Sequence, residues 1–117
     1  MTKAEAISIV NTYLGELVLT TSNTHSSKIN SSKEVWWLHI PPEKFQNNLH
    51  LLLIKLNSFI WLKIEANTFT NPDQVFKLRE DINKIDLEIS SRTNHQYTHD
   101  VKSGGTGYNF SQNVALE

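Results

Sequence analysis

His50 and Glu65 stand at mirrored positions around Asn57-Ser58, where two apolar runs, residues 49–56 and 59–66, meet. Counting outward from a two-residue turn pairs Leu56 with Phe59, Ile54 with Trp61 and His50 with Glu65. A carboxylate beside an imidazole raises its pKa and orients the ring, as a general base requires. The same two residues would equally serve as a polar pair closing the rim of an apolar face. This candidate catalytic pair depends on register, because a one-residue slip sends every side chain to the opposite face.

His95, His99 and Asp100 form H-x-x-x-H-D. On a helix, histidines four apart can grip one metal ion, but no apolar periodicity supports a helix there, and the Glu of H-E-x-x-H is missing. The three residues therefore read as the rim of a ligand cleft or as a polar surface loop, with no metal or cofactor expected. Lys102-Ser103-Gly104-Gly105-Thr106-Gly107 places its lysine before the glycines, the reverse of the phosphate-cradling order, and reads as a turn. No G-x-S-x-G elbow is present. The absence of cysteine removes thiol chemistry, disulfides and iron–sulfur clusters.

These residues need elements to position them. Thr2 and Glu5 make a capping box, Ile7, Val10, Leu14 and Leu17 follow at helical spacing, and Gly15 is a natural stop, which predicts a helix over 2–15. Residues 16–20 are β-prone. Residues 21–33 are almost wholly polar and carry too little apolar mass to offset ordering, so a mobile loop or a long hairpin arm is expected. Residues 34–40 are rich in aromatic and β-branched side chains and stop at Pro41-Pro42, which predicts a strand and then one helical turn. Asn71-Pro72-Asp73 announces a second helix, and Val75, Leu78, Ile82, Ile85 and Ile89 extend it to 89. Residues 91–117 lose periodicity and are expected to be irregular, with a short strand near 96–101.

The resulting fold class is α+β: one domain over 1–117 in α-β-β-β-α order. Its antiparallel sheet of three or four strands carries both helices on one face. In the 49–66 hairpin that face holds Leu49, Leu51, Leu53, Ile60, Leu62 and Ile64. The opposite face then shows Leu52, Ile54, Leu56, Phe59 and Trp61, several hundred Å2 of apolar surface at the limit a soluble monomer tolerates. A second copy of the chain is the first candidate cover, with Trp61 at the centre of a subunit interface. The chain's own tail and a bound ligand are the others.

Composition bounds the function. Asn, Ser and Thr fill 33 of 117 positions, and the formal charge is −1. Trp36, Trp37 and Trp61 are able to stack bases, yet with two arginines, Arg79 and Arg92, and no concentration of cations, nucleic-acid binding is not expected. No apolar run approaches a membrane span, and no signal segment opens the chain, which places it in the cytoplasm. The expectation is a small homo-oligomeric binding or interaction protein whose partner is itself, another protein or a small molecule. The alternative is a small-molecule-binding protein or small-substrate enzyme with a cleft rimmed by His50, Glu65 and the 95–100 loop.

Overall fold

The computed structural model describes residues 1–117. Helix α1 (Lys3–Leu14) starts at the expected capping box: Glu5 N–H donates to Thr2 Oγ1 and Thr2 N–H to Glu5 Oε1, both at 3.1 Å. It ends at Gly15, whose φ of +75° turns its N–H onto the Asn11 and Thr12 carbonyls. Buried Asn11 then fastens the returning chain. Its Oδ1 accepts from Val18 and Leu19 N–H, and its Nδ2 donates to the Leu19 carbonyl at 2.9 Å. Residues 16–20 are thus a fastened connection and not a strand.

Seven strands follow: β1 (Thr24–Asn30), β2 (Val35–Ile40), β3 (Leu49–Ile54), β4 (Phe59–Ile64), β5 (Lys77–Arg79), β6 (Lys84–Ser90) and β7 (Val114–Leu116). They form one sheet in the order β5-β6-β2-β1-β3-β4-β7, parallel between β1 and β3 and antiparallel elsewhere. This corrects the expected architecture. The protein has a seven-stranded mixed sheet and a single helix, not a small antiparallel sheet with two helices.

Three segments account for the difference, one of them the tail over 91–117, expected to be irregular, which ends in β7. The expected helix over 72–89 is one 3-10 turn (Pro72–Gln74) followed by the β5–β6 hairpin. Lys84–Ser90 alternates strictly, Ile85, Leu87 and Ile89 against Asp86, Glu88 and Ser90, and that period of two prevails over the three-and-four spacing of the same isoleucines. The segment over 21–33, expected as a mobile loop or a long hairpin arm, contains β1, which is the first arm of a hairpin with β2 and the middle strand of the sheet. It is ordered through main-chain bonds to neighbours on both sides rather than through apolar mass. Its register with β2 holds at Ile29–Trp36 and Asn30–Val35. Beyond those pairs the Ser27 hydroxyl accepts the Trp37 N–H at 3.0 Å in place of a backbone carbonyl.

One face of the sheet, the inner one, buries Trp36, Leu38 and Ile40 with Leu49, Leu51 and Leu53, Ile60, Leu62 and Ile64, and the β6 isoleucines. No helix covers it. Phe45, Phe69, Phe76, Tyr108 and Phe110, from connecting segments, pack on it ring against ring at 4.9–6.1 Å. The Trp36 indole reaches past β1 to donate to the Ile54 carbonyl at 3.1 Å, tying the two halves of the sheet together. On the outer face α1 and Leu19 close over Leu52, Ile54, Phe59 and Trp61 as a second, smaller core. No helix is long and apolar enough to cross a membrane.

Candidate functional site: the uncovered sheet face

The 49–66 hairpin shows the two faces expected of it with a shifted register. Its loop has four residues, Lys55 N–H donating to the Ser58 carbonyl at 2.8 Å, so Ile54 pairs with Phe59 and Leu52 with Trp61. The shift is even, so each residue keeps its face, but the expected His50–Glu65 pair is lost. His50 stands opposite Lys63, and Glu65 lies exposed beyond the strand end, 3.9 Å from Lys63 Nζ. His50 is buried, and its Nδ1 accepts the Trp61 indole N–H at 3.0 Å. Burial, with the charge of Lys63 second, lowers its pKa to about 4. His50 is therefore a neutral hydrogen-bond acceptor inside the smaller core, and no general-base pair with Glu65 forms.

The apolar face expected to need a second copy is covered in cis. Leu52, Ile54, Phe59 and Trp61 lie under α1, and only Leu56, 85% exposed at the hairpin tip, remains outside. The tail also contributes, since Leu116 of β7 pairs with Trp61. The 95–100 group separates as well. His95 sits exposed in a turn, His99 Nδ1 lies 3.3 Å from the Gly107 carbonyl, and Asp100 alone is buried. No three His, Asp or Glu side chains converge as metal ligands.

What the fold assembles instead lies on β2 and β6, on the same side as α1 but beyond its reach. Adjacent residues of a strand point to opposite faces, so with Trp36 in the core, Trp37 must stand outside. It is 40% exposed, and its Nε1 donates to Asp86 Oδ1 at 2.7 Å. His39 meets the Trp37 ring edge-on with centroids 5.3 Å apart, and its Nε2 lies 3.3 Å from the same carboxylate oxygen. Lys33 Nζ is 5.7 Å from the Trp37 ring centroid.

The chain from Thr98 to Lys102 runs along the free side of β6 and brings Asp100 and Lys102 to the cluster. Lys102 Nζ donates to Glu88 Oε2 at 3.1 Å and lies 3.4 Å from Asp86 Oδ2. The Glu88 hydrogen bond, with the charges of Asp86 and Glu88, holds the ammonium pKa above its usual value. Asp100 Oδ1 accepts from Glu88 and Lys102 N–H at 3.2 and 3.1 Å, while its Oδ2 is enclosed with no donor. Burial pushes the Asp100 pKa up to about 6. The two amides oppose that shift, and Asp86 and Glu88 add to it.

None of the larger grooves opens onto these carboxylates. The two largest, about 610 and 470 Å3, run along Ile29–Ser31–Glu34–Arg92 and along α1 beside Leu17. The cluster leaves His39 Nε2, Asp86 Oδ2 and Asp100 Oδ2 enclosed without a hydrogen-bond partner, and His50, Glu65 and the 95–100 loop line none of the larger grooves. Two signals in the sequence pointed to this face: the Trp36-Trp37 doublet at the end of a strand, and the acid-apolar alternation of Lys84–Ser90. Comparison of the chain with family models, with curated proteins and with solved structures finds no match.

Proposed function

We propose that this chain is a binding protein without catalytic chemistry of its own, and that its partner docks on the outer face of β2 and β6 with Trp37 as the anchor. The observation that carries this reading is the state of Trp37. A large aromatic left 40% exposed is held in one orientation by a wholly buried carboxylate. Interface energy concentrates in aromatic anchors of this kind, and a side chain already fixed has less entropy to lose on binding. A buried carboxylate that accepts the indole N–H, with Lys102 and His39 beside it, is an expensive support for an indole that stays 40% exposed between His39 and Lys33.

Site-specific photo-crosslinking tests the assignment. Benzoylphenylalanine is placed at His39, beside the anchor, or at Tyr13, on the outer side of α1, and the protein is irradiated in cells of its source. A discrete adduct from position 39 that disappears on Trp37→Ala, with none from position 13, is the expected result. An adduct from position 13 alone, or none from either position, overturns the reading.

A further inference from the structure

Charge on the uncovered face is sorted by depth. Asp86, Glu88 and Asp100 are buried, whereas the cations of the same strands point outward. Lys77 pairs with Asp86 and Arg79 with Lys84 across β5 and β6, so all four share the side of Trp37. Lys28 pairs with Ile54 and so shares the α1 side of the sheet. Lys33 and Lys102 are partly neutralised by Glu88 and Asp86, and Arg79 by Asp81 at 2.7 Å. Lys28, Lys77 and Lys84 form no ion pair. A chain of net charge −1 thus presents an aromatic ring on a face with Lys28, which also faces Glu5 of α1, on one side and Lys77 and Lys84 on the other.

The dimensions decide what fits. Four strands about 4.8 Å apart and about 20 Å long make a floor of roughly 300 Å2. That is less than half of the roughly 800 Å2 per partner of a stable interface between folded proteins, so a second copy of this chain is a poor occupant. An extended segment of about six residues matches the length.

We infer that the partner supplies a short acidic segment with an apolar side chain at its middle. The apolar group packs on Trp37, and the carboxylates reach Lys28 on one side and Lys77 and Lys84 on the other. This rests on the docking reading above. A phosphate backbone is the poorer match, because three ammonium groups without an ion pair are few for a ligand that carries a charge at every nucleotide.

The three indole N–H groups make the test direct, since each has a different acceptor: Ile54 O for Trp36, Asp86 for Trp37 and His50 for Trp61. The full chain, labelled with 15N-tryptophan, is titrated with octapeptides that share a Leu-Phe centre and carry acidic, neutral or basic flanks, and with an oligothymidylate. The acidic peptide is expected to move the Trp37 indole resonance saturably and leave the other two in place. Lys84→Glu should weaken that binding about tenfold, with unmoved Trp36 and Trp61 resonances reporting an intact fold. With uniform 15N labelling, Trp37→Ala should abolish the shifts that the acidic peptide causes in the backbone amides of β2. Stronger binding of the neutral or basic peptide at Trp37 overturns the acidic assignment and leaves the docking face standing, as does preference for the oligothymidylate. No response at Trp37 to any probe overturns both.

Discussion

The indole of Trp37 and the carboxylate of Asp86 form a 2.7 Å hydrogen bond between neighbouring strands, the ring at the surface and the acid fully buried. The same carboxylate lies 3.4 Å from Lys102 and 3.3 Å from His39. The bond joins the exposed ring to the electrostatic cluster beneath it.

Removing the acid therefore should loosen the anchor as well as the fold. Asp86→Ala leaves the Trp37 indole without its acceptor and Lys102 with Glu88 alone, and is expected to cost about 2–3 kcal/mol in urea unfolding. The 15N order parameter of the Trp37 indole should fall below about 0.6, while those of Trp36 and Trp61 stay near 0.85. A Trp37 indole as rigid in the variant as in the wild type would show that Asp86 does not orient it.

Acid should weaken the protein through two desolvated imidazoles, His50 buried and His25 partly so. His50 and His25 both have pKa values lowered to about 4. The first cause for each is burial, reinforced by Lys63 for His50 and by Lys3, Lys44 and Lys84 for His25. A depressed imidazole pKa means the folded state binds protons less readily than the unfolded one. Stability from these groups is whole above about pH 6.5 and is lost as the pH falls towards 4. His50→Gln, which keeps an acceptor for Trp61, should flatten this decline in urea midpoints measured between pH 7 and pH 5. An unchanged slope would contradict the assignment.

Asp100 acts in the opposite direction. Its folded pKa of about 6 lies above the ordinary 3.8, so its contribution is greatest below about pH 4 and is lost as the pH rises through 6. Asp100→Asn, which keeps an oxygen for the Glu88 and Lys102 amides, should compare more favourably with wild type at pH 8 than at pH 5. Equal differences in melting temperature at both pH values would argue against a raised pKa.

Gly105 faces the same carboxylate. A Cβ there would lie 2.7 Å from Asp100 Oδ2, inside van der Waals contact with an enclosed atom. Gly105→Ala is expected to cost about 1–3 kcal/mol. The double variant Gly105→Ala, Asp100→Ala should lose less than the sum of the single losses. Strict additivity would place the two groups farther apart.

Local signals in the sequence proved legible where they coincided with backbone geometry. The Thr2–Glu5 box, Gly15, the strand ending at Pro41 and both hairpin faces follow from short-range chemistry. The failures came where tertiary pairing outweighed local pattern. Ile82, Ile85 and Ile89 satisfy a helix on paper, yet Asn83 takes a φ of +52° in the turn and Lys84–Ser90 docks against β2 along its whole length. Thr24–Asn30 has almost no apolar content and still occupies the centre of the sheet, because β2 and β3 supply its hydrogen bonds from either side. Of the residues expected to carry chemistry, only Asp100 belongs to the charged cluster. Trp37, Asp86 and Lys102 come from three segments that no sequence spacing brings together.

Hydroxyl-radical footprinting of the three tryptophans, read by mass spectrometry with and without the acidic octapeptide, tests the central claim most directly. In the free chain Trp37 should be oxidised far faster than Trp36 in the main core or Trp61 under α1, and the peptide should protect Trp37 alone. Oxidation of Trp61 at the rate of Trp37, or a Trp37 left unprotected by the acidic, neutral and basic octapeptides and the oligothymidylate alike, would contradict the claim that the outer face of β2 and β6 is the surface this protein offers to a partner.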